Sequence, residues 1–246
     1  DDSHPIDLAM ADMFGNSPRT VMEDETVERK WTAADVSETE IPTYINNVLS
    51  LEAVACKDWL TNKVDRSVTG RIARQQCQGP LQLPLSDCGV VTLDYRGKAG
   101  IATSLGHAPQ AAVADAAAGS VLAIAEALTN IVGVNLADGL RGVSLSANWM
   151  WPCRNKGFDA SLYGAVSACS EMAKALGINI PTGKDSLSMT QTYSDGTRVL
   201  SPGTVIISAA GNVADIRKTV GPVLATGTDS TLYYICLLYT SDAADD

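Results

Sequence analysis

Residues 116–132 read AAAGSVLAIAEALTNIV and predict a long helix, which separates two groups of predicted strands. Asp115 stands at the position of a helix N-cap, and the run is rich in strong helix formers. The apolar positions available for burial are Leu122, Ile124, Leu128 and Ile131. Before the helix, residues 88–106 predict two paired strands joined by RGKAG, and after it GVSLSANW predicts another strand.

A second helix is predicted over DASLYGAVSACSEMAKALG, residues 159–177, where Gly177 is a natural C-terminal stop. Its apolar stripe consists of Leu162, Val166, Cys169, Met172, Ala173 and Leu176. Residues 203–213, GTVIISAAGNV, then predict a strand. The order is roughly β, β, α, β, α, β, β, which predicts a mixed α+β fold with a sheet covered by helices.

The domain organisation follows from changes in composition. We predict a connecting segment over residues 1–42 with one short helix, and a main domain over residues 43–214 that begins with an amphipathic helix from Thr43 to Trp59. Residues 215–235 predict the start of a truncated second domain. Residues 236–246, CLLYTSDAADD, continue no pattern and resemble translated sequencing adapter, so we expect a non-native tail.

Composition and charge limit the function. Apolar residues make up 46% of the chain and charged residues 19%, which is typical of a soluble globular protein. The net charge of −10 argues against nucleic acid and anionic membrane as partners, but it allows a nucleotide held through a divalent metal. With no membrane-length apolar run and no signal peptide, we expect a cytoplasmic protein.

The six cysteines contain no CxxC pair or framework spacing, which favours free thiols in a reducing compartment and argues against structural zinc. A cysteine nucleophile with a histidine base stays open at this point, although small buried thiols are the favoured interpretation.

The segment INIPTGKDSLSMTQTY, residues 178–193, places charged and hydroxyl side chains between two β-favouring runs. A solvated turn is the simplest interpretation of this loop. Alternatively, Lys184 supplies a point charge to a phosphate oxygen, while Ser186 and Ser188 donate hydrogen bonds.

Oxygen ligands for Mg²⁺ occur at three places. Glu126 and Asn130 lie four residues apart on one face of the first helix, in a setting too apolar for free exposure. Asp87 stands at the entry to an apolar strand, and Asp185 lies in the loop described above. These residue types suit hard cations and not soft metals, although their convergence does not follow from sequence.

The motif DRSVTG, residues 65–70, is a further polar cluster. Arg66 and Thr69 are candidates for binding a phosphate or carboxylate of a substrate, and a structural turn is about as well supported. Neither a P-loop nor a GxGxxG dinucleotide motif occurs.

Six segments, in this order and spacing, resemble phosphoribosylformylglycinamidine synthase of the large single-chain type: DRSVTG, QCQGPLQLPLSDCGV, GIATSLGH, AIAEALTNI, VSLSANWMWP and IPTGKDSLSM. The resemblance runs from about Ile6 to Ile235. The family's synthetase part contains two related halves of the aminoimidazole-ribonucleotide-synthetase type. The chain resembles the N-terminal domain of the second half, with the truncated start of its C-terminal domain.

This resemblance implies a ligase of purine biosynthesis, which converts formylglycinamide ribonucleotide, glutamine and ATP to formylglycinamidine ribonucleotide, ADP, phosphate and glutamate. The implied cofactors are Mg²⁺ and ATP or ADP. By the same resemblance, nucleotide contacts fall near Ser86 and at Ser186, and no catalytic residue is assigned within the chain. The implied magnesium ligands are Asp87, Glu126, Asn130 and Asp185.

The implied partners are glutamine-derived ammonia, the first synthetase half and a glutaminase domain of the same full-length chain. The family's cysteine nucleophile belongs to that glutaminase domain, so none of the six cysteines takes its role. In the implied reaction, ATP phosphorylates the formyl amide oxygen, and ammonia then displaces phosphate from the iminophosphate. The fragment alone is expected to be inactive.

Two alternatives stay open. This half of the enzyme can hold Mg-nucleotide as a permanent structural ligand, which would make it a non-catalytic scaffold. Another ATP-using member of the same superfamily, such as a selenophosphate or hydrogenase-maturation enzyme, is the other alternative, and the motif SANWMWP argues against it.

Overall fold

The computed structural model describes residues 4, 6–15, 20–28, 30–52, 54–56, 70–84, 86–224, 226–227, 229 and 231. The helices in this part of the chain are α1 (Met10–Phe14), α2 (Ile41–Leu49), α3 (Pro109–Ala114), α4 (Ala116–Ile131) and α5 (Phe158–Leu176). The strands are β1 (Ile72–Arg74), β2 (Cys77–Gln78), β3 (Leu83–Pro84), β4 (Cys88–Thr92), β5 (Gly100–His107), β6 (Val143–Met150), β7 (Asn179–Thr182), β8 (Thr190–Thr192), β9 (Arg198–Leu200) and β10 (Thr204–Val213).

Six of these strands form one sheet in the order β1-β4-β5-β10-β6-β7. β4 pairs antiparallel with both β1 and β5, and in the second pair Cys88 lies opposite Ser104. The predicted strand pair over residues 88–106 is therefore confirmed. β2–β3 and β8–β9 form separate antiparallel pairs, so Pro84 lies in a strand outside the main sheet, where a missing N–H is tolerated.

Burial alternates along the strands with the period of the β-pleat. Every second residue of β5 is buried and those between are exposed, and along β6 buried residues alternate with half-buried ones. This alternation is typical of a sheet with one face packed on a core and the other face open. The α+β fold that the order of elements predicted is confirmed.

The chain divides into two units, each of which is described by itself. The first unit comprises Asp1–Ala33, His107–Ile124 and Ser146–Ile207, and the second comprises Ala34–Gly106, Ala125–Leu145 and Ser208–Asp246. In the first unit, Trp151 is buried and its ring centroid lies 6.1 Å from that of Trp149. The core of the second unit is formed by Cys88, Val90, Ala102, Ile131, Val134 and Val213.

α4 begins as the sequence predicts, because the Ala118 N–H donates a hydrogen bond of 3.0 Å to Oδ1 of Asp115. Ile124 and Ile131 are fully buried, whereas Leu122 is 45% exposed, so its predicted burial is wrong. The buried face of α4 follows Ser120, Ala123, Ile124, Ala127 and Ile131 at helical spacing, and Leu122 lies off this face. The buried hydroxyl of Ser120 donates to the carbonyl oxygen of Ala165 on α5 at 2.9 Å, so small residues make the helix contact.

α5 has the same kind of packing. Its fully buried side chains are the small ones of Ala165, Cys169 and Ala173, while Val166 on the predicted stripe is 41% exposed. The helix ends as predicted at Gly177, which has a φ of +67°. The Gly177 N–H donates to the Lys174 carbonyl and the Ile178 N–H to the Ala173 carbonyl, which is the pattern of a Schellman cap.

The helix predicted from Thr43 to Trp59 is shorter in the structure. α2 ends at Leu49, where the Ser50 hydroxyl donates to the Asn46 carbonyl at 2.7 Å and thereby competes with continued helical bonding. Ile45 and Val48 are each about half exposed, so the predicted packing on a core is wrong for these side chains. Residues 57–59 of the prediction lie outside the described residues.

Two further sequence predictions concern segments at the ends. The short helix expected within residues 1–42 corresponds to α1. Most of the predicted STLYYI strand and the whole tail over residues 236–246 lie outside the described residues. Within the part of the chain that the structure covers, no helix is long and apolar enough to cross a membrane.

Candidate functional site

Ser86 and Asp87 lie between the β2–β3 pair and the first residue of β4. The Ser86 N–H donates to the Gln76 carbonyl at 3.1 Å, and its hydroxyl oxygen accepts a bond of 3.1 Å from Nε of Arg74. This leaves the Ser86 hydroxyl proton available as a donor. Asp87 is exposed. Asp87 directly precedes Cys88, the first residue of β4, which pairs with Ser104 of β5.

α4 approaches the same end of β5. The Ser104 hydroxyl donates to the Ala127 carbonyl at 2.6 Å, and the Asn130 side-chain amide donates to the Leu105 carbonyl at 2.9 Å. Asp87 therefore precedes the end of β4 whose partner residue, Ser104, is bonded to α4. Since the amide nitrogen of Asn130 is committed to Leu105, its Oδ1 is directed elsewhere and is available as a ligand. Glu126 is exposed one helical turn before Asn130.

The donor set at this end of β5 suits a hard cation. It consists of two carboxylates and one carboxamide oxygen, which Mg²⁺ and Ca²⁺ accept. The neighbouring thiol does not compete, because burial raises the pKa of Cys88 and keeps it protonated. Among the described residues, no three His, Cys, Asp or Glu side chains form a group able to hold a metal, so this site depends on the amide oxygen of Asn130 and on ligand oxygens.

The loop over residues 183–189 is fixed by backbone contacts with the end of β6. The Lys184 N–H donates to Oδ1 of Asn148 at 2.8 Å. The Ser186 N–H donates to the Trp149 carbonyl at 2.7 Å, and the Ser186 carbonyl accepts from the Trp151 N–H at 2.9 Å. The side chains of Lys184, Asp185 and Ser186 are exposed on this loop. The motifs SANWMWP and KDSLS thus meet in space.

The predicted site residues fall into separate groups. Asp87, Glu126 and Asn130 belong to the second unit with Ser86, and Asn130 contacts β5 through its bond to Leu105. Lys184, Asp185 and Ser186 share one loop of the first unit. Arg66 and Thr69 lie outside the described residues.

Asn148 and Gly183 were missed from sequence. A Cβ added to Gly183 would overlap the carbonyl of Ala147, so glycine is required by the close approach of two backbones. One signal was present, since Asn148 is a polar residue at a regular position of an apolar strand, where an amide needs a partner.

Asp24 was also missed, because its segment has few apolar residues. Its carboxylate accepts bonds from three backbone N–H groups at the start of α5, from Gly157 at 2.9 Å, Asp159 at 3.0 Å and Ala160 at 3.2 Å. The bond from Gly157 is the largest of the effects that lower the pKa of Asp24. A carboxylate at a helix N-terminus satisfies N–H groups that the helix leaves unpaired.

The sequence did not exclude a cysteine nucleophile, but the environments of two thiols argue against that role. Burial is the first cause that raises the pKa of Cys153 to about 12 and that of Cys169 to about 11. Both thiols therefore stay protonated at neutral pH, and the thiolate is the nucleophilic form.

The described part of the chain combines helices with a six-stranded sheet in a mixed α+β fold. Residues 56–212 match the family of the FGAR-AT PurM_N-like domain, and the chain belongs to this family. The match covers more than half of the chain and confirms the resemblance to phosphoribosylformylglycinamidine synthase.

Solved structures agree with this fold. The structure of PurLQS from Thermotoga maritima has a TM-score of 0.57 and 16% identity, with 90% of this chain and 32% of that chain covered. T. maritima PurL complexed with FGAR has a TM-score of 0.52 and 15% identity, covering 85% and 29%. T. maritima PurL complexed with ATP has a TM-score of 0.52 and 16% identity, covering 86% and 30%. The chain spans about a third of the length of these relatives.

Proposed function

We propose that this chain is part of a phosphoribosylformylglycinamidine synthase, an ATP-dependent carbon–nitrogen ligase of purine biosynthesis with glutamine as amide donor, and that it supplies ligands to Mg-nucleotide. Family membership supports the class of enzyme. The complexes of T. maritima PurL with ATP and with FGAR support a nucleotide and formylglycinamide ribonucleotide as its ligands.

One observation carries the proposal for this chain. The Asn130 amide donates to the Leu105 carbonyl of β5 at 2.9 Å, and Asp87 precedes Cys88, which pairs with the neighbouring Ser104. Glu126 lies one turn from Asn130 on the same helix. The three residues come from distant points of the sequence to the same unit, and this supports them as oxygen ligands of one cation.

The residues would then have distinct tasks. Asp87, Glu126 and the Oδ1 of Asn130 hold Mg²⁺, which when bound neutralises phosphate charge. The Ser86 hydroxyl donates to a nucleotide oxygen. We also propose Lys184 and Ser186 as nucleotide contacts, Asp185 as a further metal ligand, and Arg66 and Thr69 as substrate contacts.

The remaining parts of the proposal concern organisation. We propose residues 43–214 as the N-terminal domain of the second synthetase half and residues 215–235 as the start of its C-terminal domain. Glutamine-derived ammonia would come from a glutaminase domain of the same full-length protein, in the cytoplasm. Residues 236–246 are proposed to be non-native.

The proposal is tested by the nucleotide that the purified full-chain protein retains. Protein is desalted in Mg²⁺, denatured, and its released ATP and ADP are quantified by chromatography. Glu126→Gln removes one charged ligand, and we expect bound nucleotide to fall at least tenfold, because a phosphate-bound cation loses a carboxylate.

Glu171→Gln is the matched control, since Glu171 is an exposed glutamate on α5 whose partner at 2.6 Å is Lys174. It should retain nucleotide like the parent protein. Unchanged nucleotide content in Glu126→Gln, or an equal loss in both variants, would contradict the ligand assignment.

A further inference from the structure

Arg74, the last residue of β1, is bonded to the proposed nucleotide contact Ser86 but has no task in the proposed function. Its side chain is half-buried. Its Nε donates to the Ser86 hydroxyl oxygen at 3.1 Å, and its Nη1 donates to the Val220 carbonyl oxygen at 2.6 Å. Neither partner is a carboxylate, so these two bonds do not neutralise the guanidinium. The Ser86 hydroxyl therefore receives a charge-assisted hydrogen bond.

The backbone of β1 is irregular at this residue. Ile72 lies opposite Val91 of β4 and Arg74 lies opposite Val90, so two steps along β1 correspond to one step along β4. An extra residue in one strand of a pair is a β-bulge, which changes the direction of side chains and is common beside functional sites. The bulge is an observation independent of the hydrogen bonds, and it indicates that the backbone specifies the direction of Arg74.

The guanidinium is also held from the segment after β10. The Val220 N–H donates to the Gly133 carbonyl at 2.7 Å, which anchors this segment, and the Val220 carbonyl accepts from Nη1 of Arg74. Because the guanidinium group is planar and rigid, the bond at Nη1 also fixes the position of Nε. The donor that faces Ser86 is thus placed by a contact on the other side of the same group.

Ser86 is held at its backbone as well. Its N–H donates at 3.1 Å to the carbonyl of Gln76, two residues after Arg74. With the backbone held by Gln76 and the hydroxyl oxygen by Arg74, the freedom that remains to the hydroxyl is the direction of its proton. A hydroxyl that accepts a bond from a charged donor directs its proton away from that donor, and it becomes a stronger donor itself.

We propose that Arg74 is a positioning residue for the nucleotide: by donating to the Ser86 hydroxyl oxygen, it directs the hydroxyl proton to a nucleotide oxygen. This inference rests on the proposed function, because it requires Ser86 to contact the nucleotide. Arg74 itself does not contact the ligand. Through this side chain, the segment after β10 is joined to the nucleotide site.

The test is a double-mutant cycle in the purified full-chain protein, which is freed of nucleotide by dialysis against EDTA and titrated with Mg-ADP in a calorimeter. Ser86→Ala removes the hydroxyl, and we expect the affinity for Mg-ADP to fall at least about tenfold, the effect of one hydrogen bond to a charged group. Arg74→Lys keeps the positive charge but has no N–H at the position of Nε, so the affinity should fall about three- to tenfold.

The double variant decides whether Arg74 acts through Ser86. Without the Ser86 hydroxyl, Arg74→Lys should change the affinity by less than about twofold, because residues that act through one contact have non-additive effects. A guanidinium that bound the nucleotide directly would instead give the same loss in both backgrounds.

Arg71→Lys is the matched control. Arg71 also donates through its Nη1 to a backbone carbonyl, that of Leu93, and Ser86 takes no part in this bond. Both lysine variants should lower the free energy of unfolding, because both lose a hydrogen bond to a carbonyl. Only Arg74→Lys should lower the affinity for Mg-ADP, so a general loss of stability is distinguished from a loss of positioning.

A measurement on the parent protein applies if Arg74→Lys does not fold. When the Ser86 proton is donated to the nucleotide, the Ser86 oxygen becomes a stronger acceptor, so the Arg74 Nε–H should exchange more slowly with solvent at saturating Mg-ADP, as measured by NMR. The Arg217 Nε–H, bonded to Oδ1 of Asp215 at 2.9 Å, is the reference and should exchange at the same rate with and without Mg-ADP.

The outcomes separate this inference from the proposed function. Equal affinity in the parent protein and Arg74→Lys, additive losses in the double variant, an equal loss in Arg71→Lys, or unchanged exchange of the Arg74 Nε–H would overturn the role of Arg74 and leave Mg-nucleotide binding intact. Unchanged affinity in Ser86→Ala would also overturn it, since no contact would remain for Arg74 to position. No binding of Mg-ADP by the parent protein would contradict the proposed function itself, and this inference with it.

Discussion

Replacing Gly183 by alanine should destabilise the loop over residues 183–189 much more than a substitution at an exposed position usually does. The added Cβ would overlap the backbone carbonyl of Ala147, an atom that cannot rotate away as a flexible side chain can. The clash must therefore be relieved by moving one backbone segment relative to the other.

The cost can be worked out from the contacts that follow Gly183. Overpacking a filled site costs about 1–3 kcal/mol. A shift of about 1 Å would take the 2.8 Å bond from the Lys184 N–H to Asn148 and the 2.7 Å bond from the Ser186 N–H to Trp149 beyond hydrogen-bonding range. Two lost bonds add about 1–3 kcal/mol, so we expect a total destabilisation of about 2–6 kcal/mol.

The assay is urea unfolding of the purified protein, combined with hydrogen exchange of the Ser186 amide. Gly164→Ala on α5 is the matched control, because a Cβ there meets nothing within 4 Å. It should raise the free energy of unfolding by about 0.5–1 kcal/mol through lower unfolded-state entropy. The reasoning fails if Gly183→Ala unfolds within 0.5 kcal/mol of the parent protein and leaves Ser186 exchange unchanged.

Two further outcomes are expected. The hydrogen bond from the Gly157 N–H is the main cause that lowers the pKa of Asp24 in the folded state. The Asp24 carboxylate therefore stabilises the fold fully above the ordinary carboxyl pKa of about 4. This stabilisation is lost as pH falls through the lower pKa of the folded state. Asp24→Asn should therefore lower the melting temperature at pH 7, and the melting temperature of this variant should fall less between pH 4 and pH 2 than that of the parent protein. The same dependence of melting temperature on pH in both proteins would contradict the cap. Ile124→Ala should cost about 2–5 kcal/mol in urea unfolding, whereas Leu122→Ala, at a position 45% exposed, should cost far less; equal losses would contradict the burial pattern.

The sequence predicted those parts of the fold that depend on local pattern. The cap at Asp115 and the stop at Gly177 follow from the preferences of single residues, and the structure confirms both. The apolar stripes were less informative. Leu122 and Val166 are apolar, but they lie outside the buried faces of their helices. The contact between α4 and α5 is made by small residues such as Ser120 and Ala165, which a search for apolar periodicity does not identify.

In the candidate site, too, sequence predicted the residue types but not the long-range contacts. Residue type alone indicated Glu126 and Asn130 as oxygen ligands, but their support by β5 depends on the Asn130 bond to Leu105, which links residues 25 apart. Arg74 gave no sequence signal, since a lone arginine in a polar run is usually a solvated side chain. Its bond to the Val220 carbonyl joins residues 146 apart, and no local pattern predicts such a contact.

Long-range backbone contacts also explain how an exposed loop can hold a defined shape. Trp151 donates through its indole N–H to the Phe158 carbonyl at 2.9 Å, and through its backbone N–H to the Ser186 carbonyl at 2.9 Å. The first turn of α5, which Asp24 caps, is thus joined to the loop through Trp151, which is buried. This connection adds to the backbone contacts that hold the loop to the end of β6. Weakening the cap should therefore increase exchange at the Ser186 amide without any change in the loop sequence.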